Sequence, residues 1–252
     1  MNDIYESSRY EMNIGIIFAG GVGSRMHSKE KPKQFLEIYN KPIIIHTLEH
    51  FEKNKLIDDI VVVCVEGWID YLNELIYKYR ISKVRKVVSG GNSGQLSIYN
   101  GLCAAKELAG ADNAIVLIHD GVRPLISSEL LTKNIDAVRK YGNSITSSIV
   151  KETIVEIEDN GKVKSVPDRA HSRVAKAPQC FWLDDILDAH RRALSEGRTD
   201  FIDSCSMMKA YGYELYMTDG PYENIKITTP DDFYMMRAIL QAKEDAQIYG
   251  LE

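Results

Sequence analysis

The stretch that decides the fold is NIGIIFAGGVGSRMHSKEKPK, residues 13–33. Its apolar run, residues 14–18, predicts a buried strand. The strand ends in a bend that contains Gly20, Gly21 and Gly23. Because glycine has no side chain, the backbone N–H groups of such a bend can approach an anion closely. The stretch therefore predicts an anion-binding turn directly after the first strand.

Two cations, Arg25 and Lys33, follow the bend. Positive charge at this point suits a polyphosphate, because negative charge grows on the leaving group during phosphoryl transfer. Met26 occupies the last position of the dinucleotide pattern G-x-G-x-x-G, and the P-loop pattern G-x-x-x-x-G-K-[ST] is missing. We predict a nucleoside triphosphate site. An NAD-dependent reductase, which would bind pyrophosphate at the same bend, is the alternative from a different class.

Length and composition are those of one globular α/β domain. The 252 residues can bury a sizeable core, so we expect a single domain over 1–252, with residues 1–12 as a loose polar extension. The net charge of −5 argues against bulk binding of nucleic acid or membrane. The four cysteines lack C-x-x-C spacing, and no apolar run could span a bilayer or act as a signal peptide. These features predict a cytoplasmic protein.

Apolar runs alternate with helical patterns along most of the chain. Strands are predicted at 59–65, 84–88 and 114–119, and helical patterns lie between them. This alternation predicts a Rossmann-like α/β fold, with a mostly parallel sheet and helices on both of its faces. Ligands of such sheets bind beyond the carboxyl ends of the strands. The loops that follow the strands are therefore the candidate site.

A second glycine-rich loop follows the strand at 84–88. It contains Gly90, Gly91 and Asn92 and opens the next predicted helix. The free N–H groups at a helix N-terminus favour an anion, and glycines let a ligand approach the backbone. We therefore expect this loop to lie beside the first glycine bend and to contact the same ligand.

The strand at 114–119 ends in Asp120, and Gly121 and Arg123 follow. A carboxylate at the end of an apolar strand has two explanations. It can cap a helix or pair with Arg123, or it can bind Mg²⁺, which prefers few carboxylates together with phosphate oxygens. Both explanations stay open from the residues alone.

Residues 150–170 interrupt the alternation of strands and helices. Two alternating runs, 153–158 and 162–166, are joined through Asn160 and Gly161. An Asn-Gly pair between alternating runs is the strongest short signal for a β-hairpin. We predict a protruding β-hairpin arm.

Three motifs resemble those of the cytidylyltransferases that act on methylerythritol phosphate and ribitol phosphate. They are G-G-x-G-x-R-M-x₆-K-Q at 20–34, H-D-x-x-R-P at 119–124 and N-I-K-I-T-x-P at 224–230. The resemblance covers about residues 13–240. It implies transfer of CMP from CTP to a polyol or sugar phosphate, with release of pyrophosphate and with Mg²⁺ as cofactor.

The resemblance also implies a role for each matching residue. Arg25 and Lys33 are implied as the catalytic cations, and Asp120 as a residue that places the metal, the ribose or the acceptor. Nucleotide contacts are implied for ten residues: Phe18, Ala19, Gly20, Gly21, Gly23, Gly90, Gly91, Asn92, Ser97 and Gly121.

The acceptor phosphate is implied to meet Thr153, Arg169 and Lys226. Arg169 is implied to come from a second subunit, because in this family the arm at about 150–170 builds a homodimer. For Arg169 the alternative is a solvated cation of the hairpin, and for Lys226 it is a lysine at the edge of the core.

Details of the motifs bear on the substrate. Gly94 stands where the family pattern G-G-x-x-R-x-x-S has an arginine, which affects one implied phosphate contact. The sequence Ala19-Gly20-Gly21, with PKQF at 32–35 and ITTP at 227–230, is similar to the polyol branch and favours D-ribitol 5-phosphate. The product, CDP-ribitol, would serve cell-wall or capsule synthesis.

Other activities stay open. The methylerythritol-phosphate cytidylyltransferase of isoprenoid synthesis is the first alternative, and a sugar-1-phosphate nucleotidyltransferase is the next. A non-catalytic interaction module would release no pyrophosphate with any acceptor.

Overall fold

The computed structural model describes residues 11–20 and 31–249, with side chains described up to residue 246. Gly21, Gly23 and Arg25, together with residues 1–10 of the predicted extension, lie outside the described residues. The predictions made for them stay predictions.

The described residues form eleven strands and seven α-helices. The strands are β1 (Met12–Ala19), β2 (Glu37–Ile38), β3 (Lys41–Pro42), β4 (Asp59–Cys64), β5 (Val84–Ser89), β6 (Ala114–Asp120), β7 (Asn143–Ile149), β8 (Glu156–Ile157), β9 (Val163–Ser165), β10 (Arg173–Trp182) and β11 (Met217–Asp219). The helices are α1 (Ile43–Lys53), α2 (Ile69–Lys78), α3 (Gly94–Ala109), α4 (Ser128–Tyr141), α5 (Leu183–Ser195), α6 (Ser204–Ala210) and α7 (Pro230–Tyr249).

A seven-stranded sheet organises these elements, in the order β11-β7-β10-β6-β1-β4-β5. Strand β10 runs antiparallel to its neighbours β6 and β7, and the other pairings of the sheet are parallel. The predicted Rossmann-like, mostly parallel sheet is therefore confirmed. Strand β1 lies at its centre, between β4 and β6.

Helices cover both faces of the sheet, as predicted. Side chains of β1 alternate between two cores because successive residues of a strand point to opposite faces. Ile17 packs in the core that α1, α2 and α4 cover, whereas Ile14 and Ile16 pack in the core of α3, α5 and α6. All three isoleucines are completely buried, so the central strand cannot shift its register without exposing one core.

Strand β7 was not predicted, because its sequence, NSITSSI, is mostly polar. It is nevertheless buried between β10 and β11. Two of its hydroxyl groups are satisfied from α4: Ser144 Oγ and Thr146 Oγ1 donate to Asn134 Oδ1 over 2.8 and 3.2 Å, whereas Ser147 Oγ and Ser148 Oγ are buried without a hydrogen-bond partner among the described residues. Buried polar groups are tolerated when they are hydrogen-bonded, and Asn134 supplies that partner for Ser144 and Thr146.

The predicted hairpin is confirmed, although its paired part is shorter than the alternating runs. Strands β8 and β9 pair antiparallel and leave the arm exposed to solvent. Apolar side chains of the arm face solvent: Ile157 is 64% exposed, Val163 56% and Val166 59%. The arm makes a two-stranded sheet of its own, separate from the central sheet.

Within the described part of the chain, no helix combines the length and the apolar character that crossing a membrane requires.

Candidate active site

The carboxyl ends of β1, β5 and β6 lie at the same end of the sheet, because these strands run parallel. Two adjoining cavities, each of about 310 Å³, open there. The first cavity is lined by nine of the residues predicted to form the site: Phe18, Ala19, Gly20, Lys33, Gly91, Asn92, Ser97, Asp120 and Lys226. The second cavity shares Phe18, Gly94, Asp120 and Lys226 with the first.

Lys33 reaches the first cavity from a short 3-10 helix, Lys33–Phe35. Both residues that follow it are buried. Gln34 Nε2 donates to the Ala19 carbonyl over 2.6 Å, and the Phe35 ring stacks on Trp68 with 5.0 Å between centroids. These contacts tie the helix to the end of β1, and they fix where the Lys33 side chain begins.

The glycines of the two loops pack closely around Ser97, which leaves little room for a side chain at either position. A Cβ at Gly20 would lie 3.3 Å from Ser97 Oγ, and one at Gly90 would lie 3.1 Å from it. Ser97 Oγ also accepts a hydrogen bond from the Gly91 N–H over 3.0 Å. Ser97 therefore holds the two glycine loops together, and a side chain at either glycine would push them apart.

Helix α3 directs its N-terminus at the first cavity. The hydroxyl of Ser93 caps the helix by accepting from the Leu96 N–H over 3.2 Å, and Ser93 and Gly94 line the cavity. The unpaired N–H groups and the dipole of this helix favour an anion there. A Cβ at Gly94 would meet nothing within 4 Å, so this position leaves open space between the two cavities.

Asp120 lies at the boundary of the cavities and pairs with two cations. Its Oδ2 is 2.7 Å from Arg123 Nε and its Oδ1 is 2.5 Å from Lys226 Nζ. The carboxylate is only 4% exposed. Burial on its own would raise the pKa of Asp120, but Arg123 and Lys226 outweigh it and hold the pKa below its ordinary value. The predicted ion pair with Arg123 is present.

Arg123 is itself oriented by the segment that carries Lys226. Its NH1 donates to the Asn224 carbonyl over 3.0 Å, and Asn224 Nδ2 donates to the Ala177 carbonyl over 2.7 Å. Lys226 Nζ also lies 5.7 Å from the centroid of the Phe18 ring. The end of β6, the segment before α7 and strand β10 are thus joined around one carboxylate.

His119, which precedes Asp120, is completely buried, and its Nε2 lies 3.1 Å from the Arg123 carbonyl oxygen. Burial lowers the pKa of His119 to about 4. The imidazole is therefore neutral at ordinary pH, and it adds no charge to the cluster around Asp120.

Four predicted residues lie outside the lining of both cavities. Gly90 donates its N–H to the Cys64 carbonyl over 2.9 Å, and Gly121 donates its N–H to the Phe18 carbonyl over 3.0 Å, so Gly121 joins β6 to β1. Thr153 and Arg169 are exposed on the arm side, where Arg169 NH1 donates to the Lys151 carbonyl over 3.4 Å.

The carboxylate, imidazole and thiol groups near the cavities determine whether a metal ion could bind there. Among residues 11–20 and 31–249, no group of three or more His, Cys, Asp or Glu side chains could hold a metal ion. In the first cavity Asp120 is the carboxylate of the described lining, and both its oxygens contact cations. Such a set fits Mg²⁺ if phosphate oxygens and waters supply the other ligands, since Mg²⁺ is usually bound through one or two carboxylates, substrate phosphates and several waters.

Sequence reasoning missed several lining residues of the second cavity, Lys176, Gln179 and Asp203 among them. They come from β10 and from the N-cap of α6. The signal for Lys176 was a charged residue inside the apolar run VAKAPQCF, 174–181. A lysine at a buried position of a strand indicates a polar partner or a ligand.

Comparisons with known proteins show which family the chain resembles. The family model described as IspD, 2-C-methyl-D-erythritol 4-phosphate cytidylyltransferase, matches residues 14–242. A ribitol-5-phosphate cytidylyltransferase of Streptococcus agalactiae is 55% identical, over 95% of this chain and all of the relative. A 2-C-methyl-D-erythritol 4-phosphate cytidylyltransferase of Clostridium acetobutylicum is 40% identical, over 91% of this chain and 98% of the relative.

A solved structure is also similar. The crystal structure of 4-diphosphocytidyl-2C-methyl-D-erythritol synthase from Anaerococcus prevotii superposes with a TM-score of 0.80 at 30% identity. The match covers 92% of this chain and 96% of the other.

We predict that Asp120→Asn lowers the free energy of unfolding by about 1–3 kcal/mol near pH 7, because Arg123 and Lys226 lose their shared counter-charge. The pKa of Asp120 is lower in the folded protein than its ordinary value of 3.8. The carboxylate therefore makes its full contribution to the free energy of unfolding above pH 3.8 and loses it as the pH falls through the folded-state pKa. Urea denaturation at several pH values measures both effects.

The matched control is Asp219→Asn, which removes an exposed ion pair with Arg173 of 3.3 Å. An exposed pair of this kind contributes little, so the free energy of unfolding should change by less than about 0.5 kcal/mol. Equal losses in the two variants would contradict a special role for Asp120.

Proposed function

Because the chain belongs to the IspD family of 2-C-methyl-D-erythritol 4-phosphate cytidylyltransferases, we propose that its reaction is the transfer of CMP from CTP to D-ribitol 5-phosphate. The products are CDP-ribitol and pyrophosphate. The protein is a nucleotidyltransferase enzyme. Relatives named for ribitol 5-phosphate share more identity with this chain than those named for methylerythritol phosphate, which supports ribitol 5-phosphate as the acceptor.

One observation carries the proposal: the two cavities adjoin at a carboxylate that holds two cations. In our proposal CTP fills the first cavity, where glycine N–H groups, the N-terminus of α3 and Lys33 suit a triphosphate. The acceptor fills the second cavity, and its phosphate meets the α-phosphate of CTP at the shared boundary, beside Asp120 and Lys226.

The chemistry is an in-line displacement. An oxygen of the acceptor phosphate attacks the α-phosphorus of CTP, and the bond from that phosphorus to the bridging oxygen of the β-phosphate breaks. The electron pair leaves with pyrophosphate, so no covalent enzyme intermediate is needed. Two anions must approach each other, and the protein therefore contributes charge neutralisation and orientation.

In our proposal, different cations neutralise different phosphate groups. Lys33, with Arg25 from the loop outside the described residues, stabilises the charge that develops on the transferred phosphoryl group and on pyrophosphate. Lys226 neutralises the attacking phosphate, and Asp120 holds Lys226 at the boundary over 2.5 Å. Asp120, the carboxylate of the described lining of the first cavity, would help to hold Mg²⁺, and the ion would supply positive charge that neutralises the phosphates of CTP.

We propose that the arm at about 150–170 joins two copies of the chain. Its exposed apolar residues, such as Ile157, Val163 and Val166, would be covered by a second subunit. Arg169 and Thr153 line neither cavity of their own chain. In a homodimer Arg169 would reach the acceptor site of the other subunit, as the family resemblance implies.

We further propose that the enzyme works in the cytoplasm and that CDP-ribitol feeds a cell-wall or capsule polymer. The four cysteines are free thiols, and burial raises the pKa of Cys64 to about 11. Unpaired, unreactive thiols suit a reducing compartment.

The test of the reaction is pyrophosphate release from CTP with a panel of acceptors. We expect the highest kcat/KM with D-ribitol 5-phosphate. A preference for 2-C-methyl-D-erythritol 4-phosphate would instead support the second candidate, which the family description favours. Release with sugar 1-phosphates alone, or with no acceptor, would contradict the proposal.

We predict that Lys33→Ala lowers kcat/KM by on the order of 10²–10³, because one preorganised cation of the transition state is lost. The melting temperature should not change. Lys31→Ala is the matched control: Lys31 is exposed and lies 5.3 Å over the Tyr71 ring, away from both cavities. Near-normal kcat in Lys33→Ala would reject the assignment.

The dimer is tested by mixing inactive variants. Arg169→Ala and Lys33→Ala should each be inactive alone, since each homodimer lacks a needed residue at both sites. After subunit exchange, mixed dimers carry one intact site, and up to about a quarter of wild-type activity should return. If Arg169 acts within its own chain, the mixture stays inactive.

A further inference from the structure

The second cavity contains a lysine with no assigned role, Lys176 of β10. It lines this cavity together with Arg123 and Lys226, and it does not line the first. Its side chain is unusually well covered for a lysine, with only 7% of the residue exposed. The pairing of β10 with β7 shifts register between Ala175 and Gln179, and Lys176 lies within that irregularity. Irregularities of this kind commonly redirect a side chain toward a site.

Few groups near Lys176 compensate its positive charge. Its Nζ donates to the Tyr222 carbonyl over 2.8 Å and lies 5.1 Å from the centroid of the Tyr222 ring. Arg123 and Lys226 share the carboxylate of Asp120, but Lys176 forms no ion pair with a carboxylate of residues 11–20 or 31–249. An ammonium group has three N–H donors, so the carbonyl satisfies one of them.

Such a placement is unfavourable in a protein without ligand. Burial, and then the nearby charge of Arg123, lower the pKa of Lys176 to about 8, although the charge of Glu223 acts in the opposite direction. A buried cation that contacts no carboxylate costs free energy unless a bound anion compensates it. The open space beside Lys176 is the second cavity, which is large enough for a small phosphorylated molecule.

We propose that Lys176 binds the phosphate group of the acceptor and thereby selects a phosphorylated acceptor over the free polyol. This inference rests on the proposed function, because it takes the second cavity as the acceptor site. The cations Arg123 and Lys226 contact the carboxylate of Asp120, whereas Lys176 contacts no carboxylate of the described residues and has only the more distant charge of Glu223 near it. Lys176 therefore adds the positive charge that a phosphate dianion needs.

The test is Lys176→Met, which keeps a long side chain and removes the charge. We expect the KM for D-ribitol 5-phosphate to rise about 10- to 100-fold, the size that loss of one hydrogen bond from a charged donor predicts. The KM for CTP should change less than about twofold, since Lys176 does not line the first cavity. The melting temperature should stay the same or rise, because an unpaired buried charge is removed.

Lys151→Met is the matched control. The Lys151 Nζ lies 3.6 Å from the centroid of the same Tyr222 ring, but Lys151 is exposed and lines neither cavity. Its loss should leave both KM values unchanged. The proposal is overturned if the acceptor KM of Lys176→Met equals that of wild type, or if the CTP KM rises as much. A lower melting temperature with unchanged KM values would indicate a structural role alone.

Inorganic phosphate separates this inference from the proposed reaction. We expect phosphate to inhibit competitively against the acceptor, with a weaker inhibition constant in Lys176→Met than in wild type. If wild type releases no pyrophosphate with any acceptor, the proposed function fails. Calorimetry of phosphate binding to wild type and Lys176→Met would still test the role of the lysine in that case. Equal phosphate affinity in the two proteins would overturn the inference.

Discussion

The site depends on one buried carboxylate, which keeps two cations in place beside each other. Asp120 ends the fully buried strand β6, so the core fixes where the carboxylate lies. Arg123 follows one turn later on the same loop, but Lys226 comes from a segment more than one hundred residues away. Without the negative charge the two cations would repel each other. The ion pairs therefore bring distant parts of the chain to one edge of the sheet.

The remainder of the fold supports that arrangement from both sides. On one side, Ser97 holds the glycine loops together and the N-terminus of α3 faces the first cavity. On the other, β10 delivers Lys176 and the Ala177 carbonyl, which fixes Asn224. A reaction between two phosphorylated molecules needs positive charge on each side of the meeting point and little freedom in its position. Buried strands that end beside the cavities restrict the positions of these side chains.

Sequence alone predicted the parallel strands, the hairpin and most of the first cavity, because these depend on local patterns. Glycines after apolar runs and Asp120 at a strand end identify one edge of a sheet without knowledge of its neighbours. Strand β7 was missed because its sequence is mostly polar, and Asn134, the partner of Ser144 and Thr146, comes from another element. Lys176 was missed for the same reason: its environment depends on the antiparallel insertion of β10, which no local pattern indicates.

Strand β10 connects the base of the arm to the interior of the protein. Arg173 pairs with Ile149 at the arm end, whereas Cys180 and Phe181 are fixed in the core at the other. An extended strand advances about 3.3 Å per residue and hardly stretches. The number of residues in this strand, including the extra residues of the register shift between Ala175 and Gln179, therefore sets the spacing between the arm and the acceptor cavity. An insertion or deletion between Arg173 and Gln179 would alter that spacing while leaving the core itself intact.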